Sequence, residues 1–352
     1  MNDNEYLTGI ICGLLDRGSP AVLATIVRQE GSAPRHAGAR MVIGADGRSY
    51  GTIGGSLLEA GTIEAAPSVI ASRRSELIDF DLTSRDTNAP GMICGGTATV
   101  LLEYLGATPE NTDFFRRLHD AVMDGDDVTL VTLYRAAGNA VSDTRHCLLY
   151  HDGKMAGECP LSGADLQNLS TAARGTGSAA TVSIKDWQVV LEPVRQARTL
   201  YCFGAGHVAR PTAHLAALVG FRVVVVDNRS EYASTERFPD AHNIRIISDY
   251  RGALEGLDID ADSFIVIFTH CHLTDRYVLE QALKTDAGYI GMIASRKKRE
   301  DVYRALREKG FTPEDLARVH SPIGLYIGAE TPEEIAVSIV AELIQERSRQ
   351  AR

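Results

Sequence analysis

The sequence predicts an α/β protein with a mixed α/β domain at the N-terminus and a Rossmann-like, doubly wound parallel-sheet domain at the C-terminus. Its 352 residues are enough for two domains with separate cores. From residue 199 to 229 the pattern is apolar strand, glycine turn, helix and strand, and alternating strands and helices continue after it. We expect the domains to comprise residues 1–185 and 186–352, although the apolar strand from Trp187 to Val194 is compatible with either.

Composition and charge favour a cytoplasmic protein without a membrane span. The formal net charge of −10 disfavours nucleic acid and anionic membranes as main partners. The acidic N-terminus lacks the features of a signal peptide, and no apolar stretch approaches the roughly 20 residues that span a bilayer. The 6 cysteines are scattered without a C-x-x-C pair, which is typical of reduced thiols and excludes a zinc ribbon.

The first domain begins with a packing helix and continues with short strands. Apolar residues recur at helical spacing over residues 4–17 until Gly18 ends the pattern. The elements predicted after it are strands at 21–27, 40–43 and 77–82, an apolar strand ending at Leu105, a helix at 113–123 and a strand at 128–134. Residues 161–180 are small and polar, as expected of a linker or a loose surface helix.

A first glycine-rich turn joins a strand to a helix at Gly54 and Gly55. Glycines permit positive φ and leave backbone N–H groups open, so such a turn can cradle an anion. Ser32 and Arg35, in the turn between the first two strands, are placed to face it, and Glu59 in the following helix joins the candidate cofactor-binding residues. The alternative is that the paired glycines only allow the helix to pack closely on the strand.

Cys94 precedes two glycines in a loop that leads into an apolar strand. Backbone N–H groups around such a thiol lower its pKa and favour the nucleophilic thiolate, which also ligates metals. The alternative is a small buried apolar side chain, since most free cysteines have that role.

The second glycine turn has the spacing of a dinucleotide-binding crossover. Gly204 suits the tight turn, Gly206 the close approach of a phosphate, and Ala209 replaces the third glycine. Asp227 follows at the distance expected of a residue that accepts a ribose hydroxyl. A phosphate-bearing ligand is favoured, and the alternative is a tight turn in a Rossmann-like core without a ligand.

Two later strand ends carry polar residues where ligands bind in doubly wound sheets. His270 and Asp275 lie in the segment Thr269-His270-Cys271-His272-Leu273-Thr274-Asp275, whose H-x-H pair also suggests metal binding, although two histidines and a thiol are a weak signal. Ser295 and Arg296 begin a basic run at the start of the next helix, which either binds phosphate or is a solvated face.

Taken together, these motifs resemble the XdhC/CoxI family of accessory proteins. The resemblance covers nearly the whole chain through the segments GSAPRHAGARMVI, GTIGGSLLE, MICGG, FGAGHVARPTAHLAALVGFRVVVVDNR, THCHLTD, YIGMIASRKKR and SPIGLYIGAETPEEIA. The family often has a cysteine after three glycines where this chain has Gly54, Gly55, Ser56 and Leu57. That thiol is therefore absent, and Cys94 remains as the cysteine of family type.

The resemblance implies a carrier of the molybdenum cofactor, a pterin dithiolene phosphate. Such a protein holds the cofactor while a cysteine desulfurase supplies sulfide, and then inserts it into the apo-subunit of a xanthine dehydrogenase-type molybdenum hydroxylase. It also implies a homodimer and a Cys94 thiol near the metal. Either glycine turn is able to hold the phosphate.

Two other kinds of function remain open. The second domain alone favours an NAD(P)-dependent oxidoreductase, with Asp227 on the ribose and His207 or His270 as the acid/base. A docking protein without a ligand is the other alternative. The glycine turn and Cys94 of the first domain, which indicate a second anion site without hydride-transfer chemistry, favour the carrier.

Overall fold

The computed structural model describes residues 3–31, 37–82, 95–175, 179–194 and 197–350. The chain forms two compact units, Asn2–Gln196 and Ala197–Arg352. Within the described residues, every helix is too short or too polar to cross a bilayer.

The first unit is built on a curled sheet whose described strand pairs are all antiparallel, with helices against it. Its elements are α1 (Asp3–Asp16), β1 (Ala21–Glu30), β2 (Arg40–Gly44), β3 (Ser49–Gly51), α2 (Ser56–Ser72), β4 (Glu76–Asp81), β5 (Thr97–Leu105), α3 (Pro109–Asp124), β6 (Val128–Ala137), β7 (Ala140–Tyr150), β8 (Met155–Gly157), α4 (Ala164–Gly175), β9 (Ala180–Ile184) and β10 (Trp187–Val194). The strands follow the order β3-β2-β1-β5-β4-β7-β6-β10-β9, and β8 pairs with β7. Curling brings β9 towards β1, since the Thr181 hydroxyl donates to the Val27 carbonyl at 2.7 Å.

Helix α3 shows why these boundaries arise. Thr108 accepts a hydrogen bond from the Asn111 amide, Pro109 occupies the first turn, and Gly125 ends the helix in the left-handed conformation. Its apolar face, which includes Phe115 and Leu118, packs with α1 against the sheet.

The second unit has the predicted doubly wound architecture. Its elements are β11 (Thr199–Phe203), α5 (Ala209–Leu218), β12 (Arg222–Asp227), β13 (Asn243–Ile246), β14 (Phe264–Ile267), α6 (His272–Ala282), β15 (Tyr289–Met292), α7 (Arg296–Glu308), α8 (Pro313–Ala317), β16 (Val319–His320) and α9 (Pro332–Gln350). All pairs are parallel, in the order β13-β12-β11-β14-β15-β16. The order reverses between β11 and β14, where Rossmann sheets bind their ligands.

Side chains alternate between the two faces of this sheet, so the second unit has one apolar core on each face. Phe203 and Ile265 face the cluster that holds residues of α6 and α7, whereas Cys202 and Phe264 face the cluster that holds residues of α5 and α9. Both faces of the sheet are therefore covered by helices, as parallel sheets require.

The division between the units differs from the predicted one at 185/186. Strand β10 pairs with β6 from Gln188 to Val194 and with β9 on its other edge, so it belongs to the first unit. The chain divides at 196/197. Part of the segment 161–180, which was predicted to be a linker or a loose surface helix, forms helix α4.

Candidate functional site

The glycine turn after β11 lies against the loop that follows β14. Gly204 has φ +107°, and a Cβ there would be 2.6 Å from the Phe268 carbonyl oxygen. Glycine is therefore required at this position both by the backbone conformation and by the close approach. Gly206 is different, because a Cβ built on it has no described atom within 4 Å. The turn thus presents open space beside Gly206.

Asp227 holds this turn in place through hydrogen bonds. Its Oδ2 accepts hydrogen bonds from the Ala205 amide at 2.7 Å and from Arg229 Nη2 at 2.9 Å, while Oδ1 accepts from the Arg229 amide and Nε. Burial raises the pKa of the carboxyl, but these hydrogen bonds outweigh it and leave the pKa below its ordinary value. The residue is 0% exposed, so its carboxylate is not accessible to a ribose hydroxyl, the contact that its spacing predicted. Asp227 instead fixes the glycine turn.

Basic and acidic side chains line a cavity of about 680 Å³ beside the start of α5. His207 and Arg210 are exposed on its wall, and neither forms an ion pair with a described residue. Arg237 donates from Nη2 to the Ala205 carbonyl at 3.5 Å, and its buried Nε has no hydrogen-bond partner among the described atoms. Glu236, Asp240 and Glu333 also line the cavity, and Asp240 pairs with His214. The first turn of α5 reads Ala-Arg-Pro-Thr and contains no acidic residue.

A hydrogen-bonded cluster occupies the end of β14. Asp275 is 0% exposed, and its Oδ1 accepts from the Thr269 hydroxyl at 2.5 Å while Lys298 forms an ion pair with Oδ2. Burial raises the pKa of Asp275, although Lys298 and Thr269 oppose that effect. Asp275 therefore ties α6 to the start of α7.

The residues predicted at the next strand end lie beside this cluster. Ser295 caps α7 by accepting a hydrogen bond from the Lys298 amide at 3.3 Å, and Arg296 is exposed in the first turn. Ser295 has a capping role here, and the structure gives Arg296 no ordered contact among the described residues.

Cys271, which the sequence suggested only as part of a weak metal signal, has a different environment in the structure. It is the N-cap of α6, and its Sγ lies 3.3 Å from the Thr274 hydroxyl. Burial raises the pKa of this thiol, but hydrogen bonds from Thr274 and from the amides at the helix start lower it below its ordinary value. The signal was present as a cysteine between a strand end and a helix, with threonine three residues later. His270 is exposed next to it.

The H-x-H motif does not assemble a metal centre in the described ranges. No three histidine, cysteine, aspartate or glutamate side chains within them come together as ligands.

The glycine turn of the first unit has a different electrostatic character. Gly54 and Gly55 both have positive φ, as predicted. The Thr52 hydroxyl accepts a hydrogen bond from the Gly54 amide at 3.1 Å and donates to the carboxylate of Glu59, in the first turn of α2. One amide of the turn is thus occupied, and a carboxylate stands where an anion would approach. Glu59 and Gly54 do come together, but in a contact that disfavours phosphate.

Three predicted residues, Ser32, Arg35 and Cys94, lie outside the described residues. The described backbone next to their segments is close together, because a Cβ on Gly31 would be 3.0 Å from both the Gly95 carbonyl and the Gly96 Cα.

The first unit also contains a buried polar layer that the sequence did not suggest. Arg40 Nε lies 3.1 Å from Glu192 Oε1, and His146 Nε2 lies 2.7 Å from Glu103 Oε1. All four side chains are buried, and burial raises the pKa of Glu192. Glu103 and His146 line a cavity of about 710 Å³. The four residues belong to four strands, so their proximity has no local sequence signature.

Comparison with known families matches both units. The profile of the XdhC Rossmann domain matches residues 200–343, and the profile of the XdhC and CoxI family matches residues 14–81.

Curated relatives extend the similarity over almost the whole chain. A Bacillus subtilis protein named as a probable xanthine dehydrogenase subunit is 30% identical over 342 residues, which cover 96% of each chain. The "Molybdenum cofactor insertion chaperone PaoD" of Escherichia coli is 24% identical over 99% of this chain and 90% of its own. The uncharacterised YqeB of Escherichia coli is 28% identical over 94% of this chain, which spans only 44% of YqeB.

A solved structure shows the same fold. The crystal structure of a protein from Bacillus halodurans, described as a xanthine dehydrogenase, superimposes with a TM-score of 0.80 and 29% sequence identity. The similarity covers 99% of this chain and 97% of that chain.

Proposed function

The chain belongs to the XdhC and CoxI family, and from this membership we propose that it binds the molybdenum cofactor and inserts it into a xanthine dehydrogenase-type molybdenum hydroxylase. The relative named as an insertion chaperone for this cofactor supports the proposal, since it is matched over 90% of its length. In the finer form of the proposal, a cytoplasmic homodimer holds the cofactor while a cysteine desulfurase supplies sulfide to the molybdenum.

The observation that carries the proposal is the open glycine turn of the second unit, with Arg210 on the wall of the adjoining cavity. A pterin dithiolene phosphate needs N–H groups and positive charge for its phosphate. The space beside Gly206, with Arg210 and His207 on the adjoining wall, fits that need. The turn at Gly54 fits it less well, because Glu59 stands in the first turn of α2. We therefore assign the phosphate to the start of α5.

In this proposal a thiol contacts the metal of the cofactor. Cys94 remains the proposed ligand or hydrogen-bonding contact of molybdenum, because it belongs to the family-type MICGG segment. When bound, the cofactor supplies the molybdenum centre that the client hydroxylase needs. The residues of this chain supply amides, cations and a soft sulfur ligand.

The same geometry disfavours the nicotinamide-dependent alternative. A ribose hydroxyl needs an accessible acceptor at the end of β12, and Asp227 is buried and already accepts four hydrogen bonds. We expect no saturable binding of NAD(P) and no turnover with small alcohols or acids.

Substitution of Gly206 tests the proposal. Gly206→Asp places a carboxylate in open space, so the fold should persist while molybdenum and pterin in the purified protein fall at least about tenfold, the effect of losing one charge-assisted contact and adding repulsion. Metal analysis by mass spectrometry and pterin quantification by chromatography measure this. Gly206→Ala is the matched control and should keep its cofactor, because no described atom lies within 4 Å of the added Cβ.

Two further variants, measured in the same assay, test the phosphate contact and the metal contact separately. Arg210→Glu should reduce cofactor content as Gly206→Asp does, and Cys94→Ser should reduce molybdenum retention. Full cofactor content in Gly206→Asp and Arg210→Glu would contradict the assignment of the phosphate to α5. Absence of cofactor from the wild-type protein made in cells that synthesise it would contradict the proposed function itself.

A further inference from the structure

Cys147, in β7, and Cys159, just after β8, lie close together. Cys147 stands opposite Gly157 in the register of these strands. The ladder continues one residue beyond β8, since the Glu158 amide donates to the His146 carbonyl at 2.8 Å. Cys147 belongs to a buried apolar cluster, and Cys159 packs against the same cluster. The two thiols are close enough for each to shift the pKa of the other.

The two thiols differ in their access to solvent. Cys147 is fully buried in an apolar cluster with Leu149, Leu161, Leu169 and Trp187. Cys159 packs against the edge of this cluster and is partly exposed. A dissolved reagent therefore reaches Cys159 directly, and Cys147 is reachable only through Cys159.

We propose that Cys147 and Cys159 form a redox-active dithiol that small disulfides, such as oxidised glutathione, convert into an intramolecular disulfide. The inference does not depend on cofactor binding, because both cysteines lie outside the proposed cofactor site. It assigns an oxidation site to the first unit.

The exchange proceeds in two balanced steps. The Cys159 thiolate attacks one sulfur of the small disulfide, whose S–S bond breaks to release one small thiolate and leave a mixed disulfide. Cys147 then loses its proton to water or to the released thiolate and attacks Cys159 Sγ, releasing the second small thiolate. The dithiol gives up two protons and two electrons, and the small disulfide becomes two thiols.

The electrostatic difference between the thiols supports this order. The interaction with Cys147 lowers the pKa of Cys159, which favours the Cys159 thiolate. The same interaction, together with burial, raises the pKa of Cys147. Cys159 therefore attacks first and Cys147 resolves the intermediate. Cys202 provides a contrast, because burial raises the pKa of its isolated thiol to about 12.

Tryptic mapping of the full-length protein provides the test. Lys154 lies between the cysteines, so trypsin separates them into peptides 146–154 and 155–174. After incubation with oxidised glutathione and blocking of free thiols, the wild type should yield these two peptides linked, with a loss of two hydrogens. Reduction should separate them.

Single variants test the order of attack. Cys147→Ser should retain glutathione on Cys159 in a stable adduct, whereas Cys159→Ser should leave Cys147 unmodified. Cys202 should stay unmodified in all three proteins, which also shows that they remain folded. Wild-type protein that carries glutathione on Cys159 without the linked peptides, or that leaves both thiols free, would overturn the proposal.

Discussion

At the scale of single residues, Asp227 shows how a correctly predicted position can have a different role. The spacing from Gly204 marked it as the acidic residue of a dinucleotide-binding crossover, and the strand, turn and helix around it are confirmed. Its partner Arg229 is only two residues away in the sequence. Spacing does not reveal side-chain direction, however, and the guanidinium folds back onto the carboxylate.

We predict that Asp227→Asn destabilises the second unit by about 1–3 kcal/mol, because it removes the charge that pairs with a largely buried guanidinium and weakens the bond to the Ala205 amide. Urea unfolding followed by circular dichroism measures the change. The control is Asp301→Asn in the exposed pair with Arg304, which should cost less than about 0.5 kcal/mol. Equal effects of the two variants would argue against a stabilising role for Asp227.

Cys271 and Cys159 were harder to foresee. The pKa of each thiol depends on which hydroxyl, amide or thiol lies beside the sulfur, and these neighbours are fixed by the folded structure. The sequence contained both cysteines but not their contacts.

At the scale of elements, the end of β16 is held to α9 by a buried acid. Glu342 accepts hydrogen bonds from the Tyr289 hydroxyl at 2.6 Å and the Gly324 amide at 2.8 Å, and His320 Nδ1 lies 2.8 Å from its Oε1. The hydrogen bond to Glu342 raises the pKa of His320 above its ordinary value, with Glu346 adding to the effect and burial and Arg349 opposing it.

This contact predicts a pH-dependent stability. A raised pKa means that protonated His320 stabilises the fold fully below its unfolded pKa of about 6.5, and that this contribution is lost as pH rises through the higher folded pKa. We expect His320→Gln to cost about 1 kcal/mol at pH 5.5 and less at pH 9. Chemical unfolding at both pH values tests this, and the same loss at each would show that the charge of His320 contributes nothing.

Elements with strong apolar periodicity, such as α1 and the parallel strands from β11 to β15, were predictable, whereas residues 161–180, which include α4, were compatible with either a linker or a loose surface helix. Only a few residues of α4 are buried, Leu169 and Ala173 among them. Sequence composition alone does not distinguish such elements from loops.

At the scale of the whole molecule, the position of β10 decides where the chain can be divided. A fragment that ends at 185 lacks the strand that lies between β6 and β9. One that ends at 196 retains every strand of that sheet.

We therefore predict that residues 1–196 unfold in one cooperative transition by calorimetry, whereas residues 1–185 are aggregated or lack such a transition, because β6 and β9 expose apolar edges. Residues 197–352, which hold all six parallel strands, should also show a cooperative transition. A cooperative transition in 1–185 of the same enthalpy as in 1–196 would place β10 outside the folding unit.

The place of Trp187 at the start of β10 has a practical consequence for such measurements. It is the only tryptophan of the chain, it is 3% exposed, and the Arg135 guanidinium lies 4.1 Å from its ring centroid. When tryptophan is excited selectively, the fluorescence of the protein thus comes from Trp187 in the first unit. Tryptophan fluorescence therefore follows unfolding of the first unit. Unfolding of the second unit needs a different probe, because that unit contains no tryptophan.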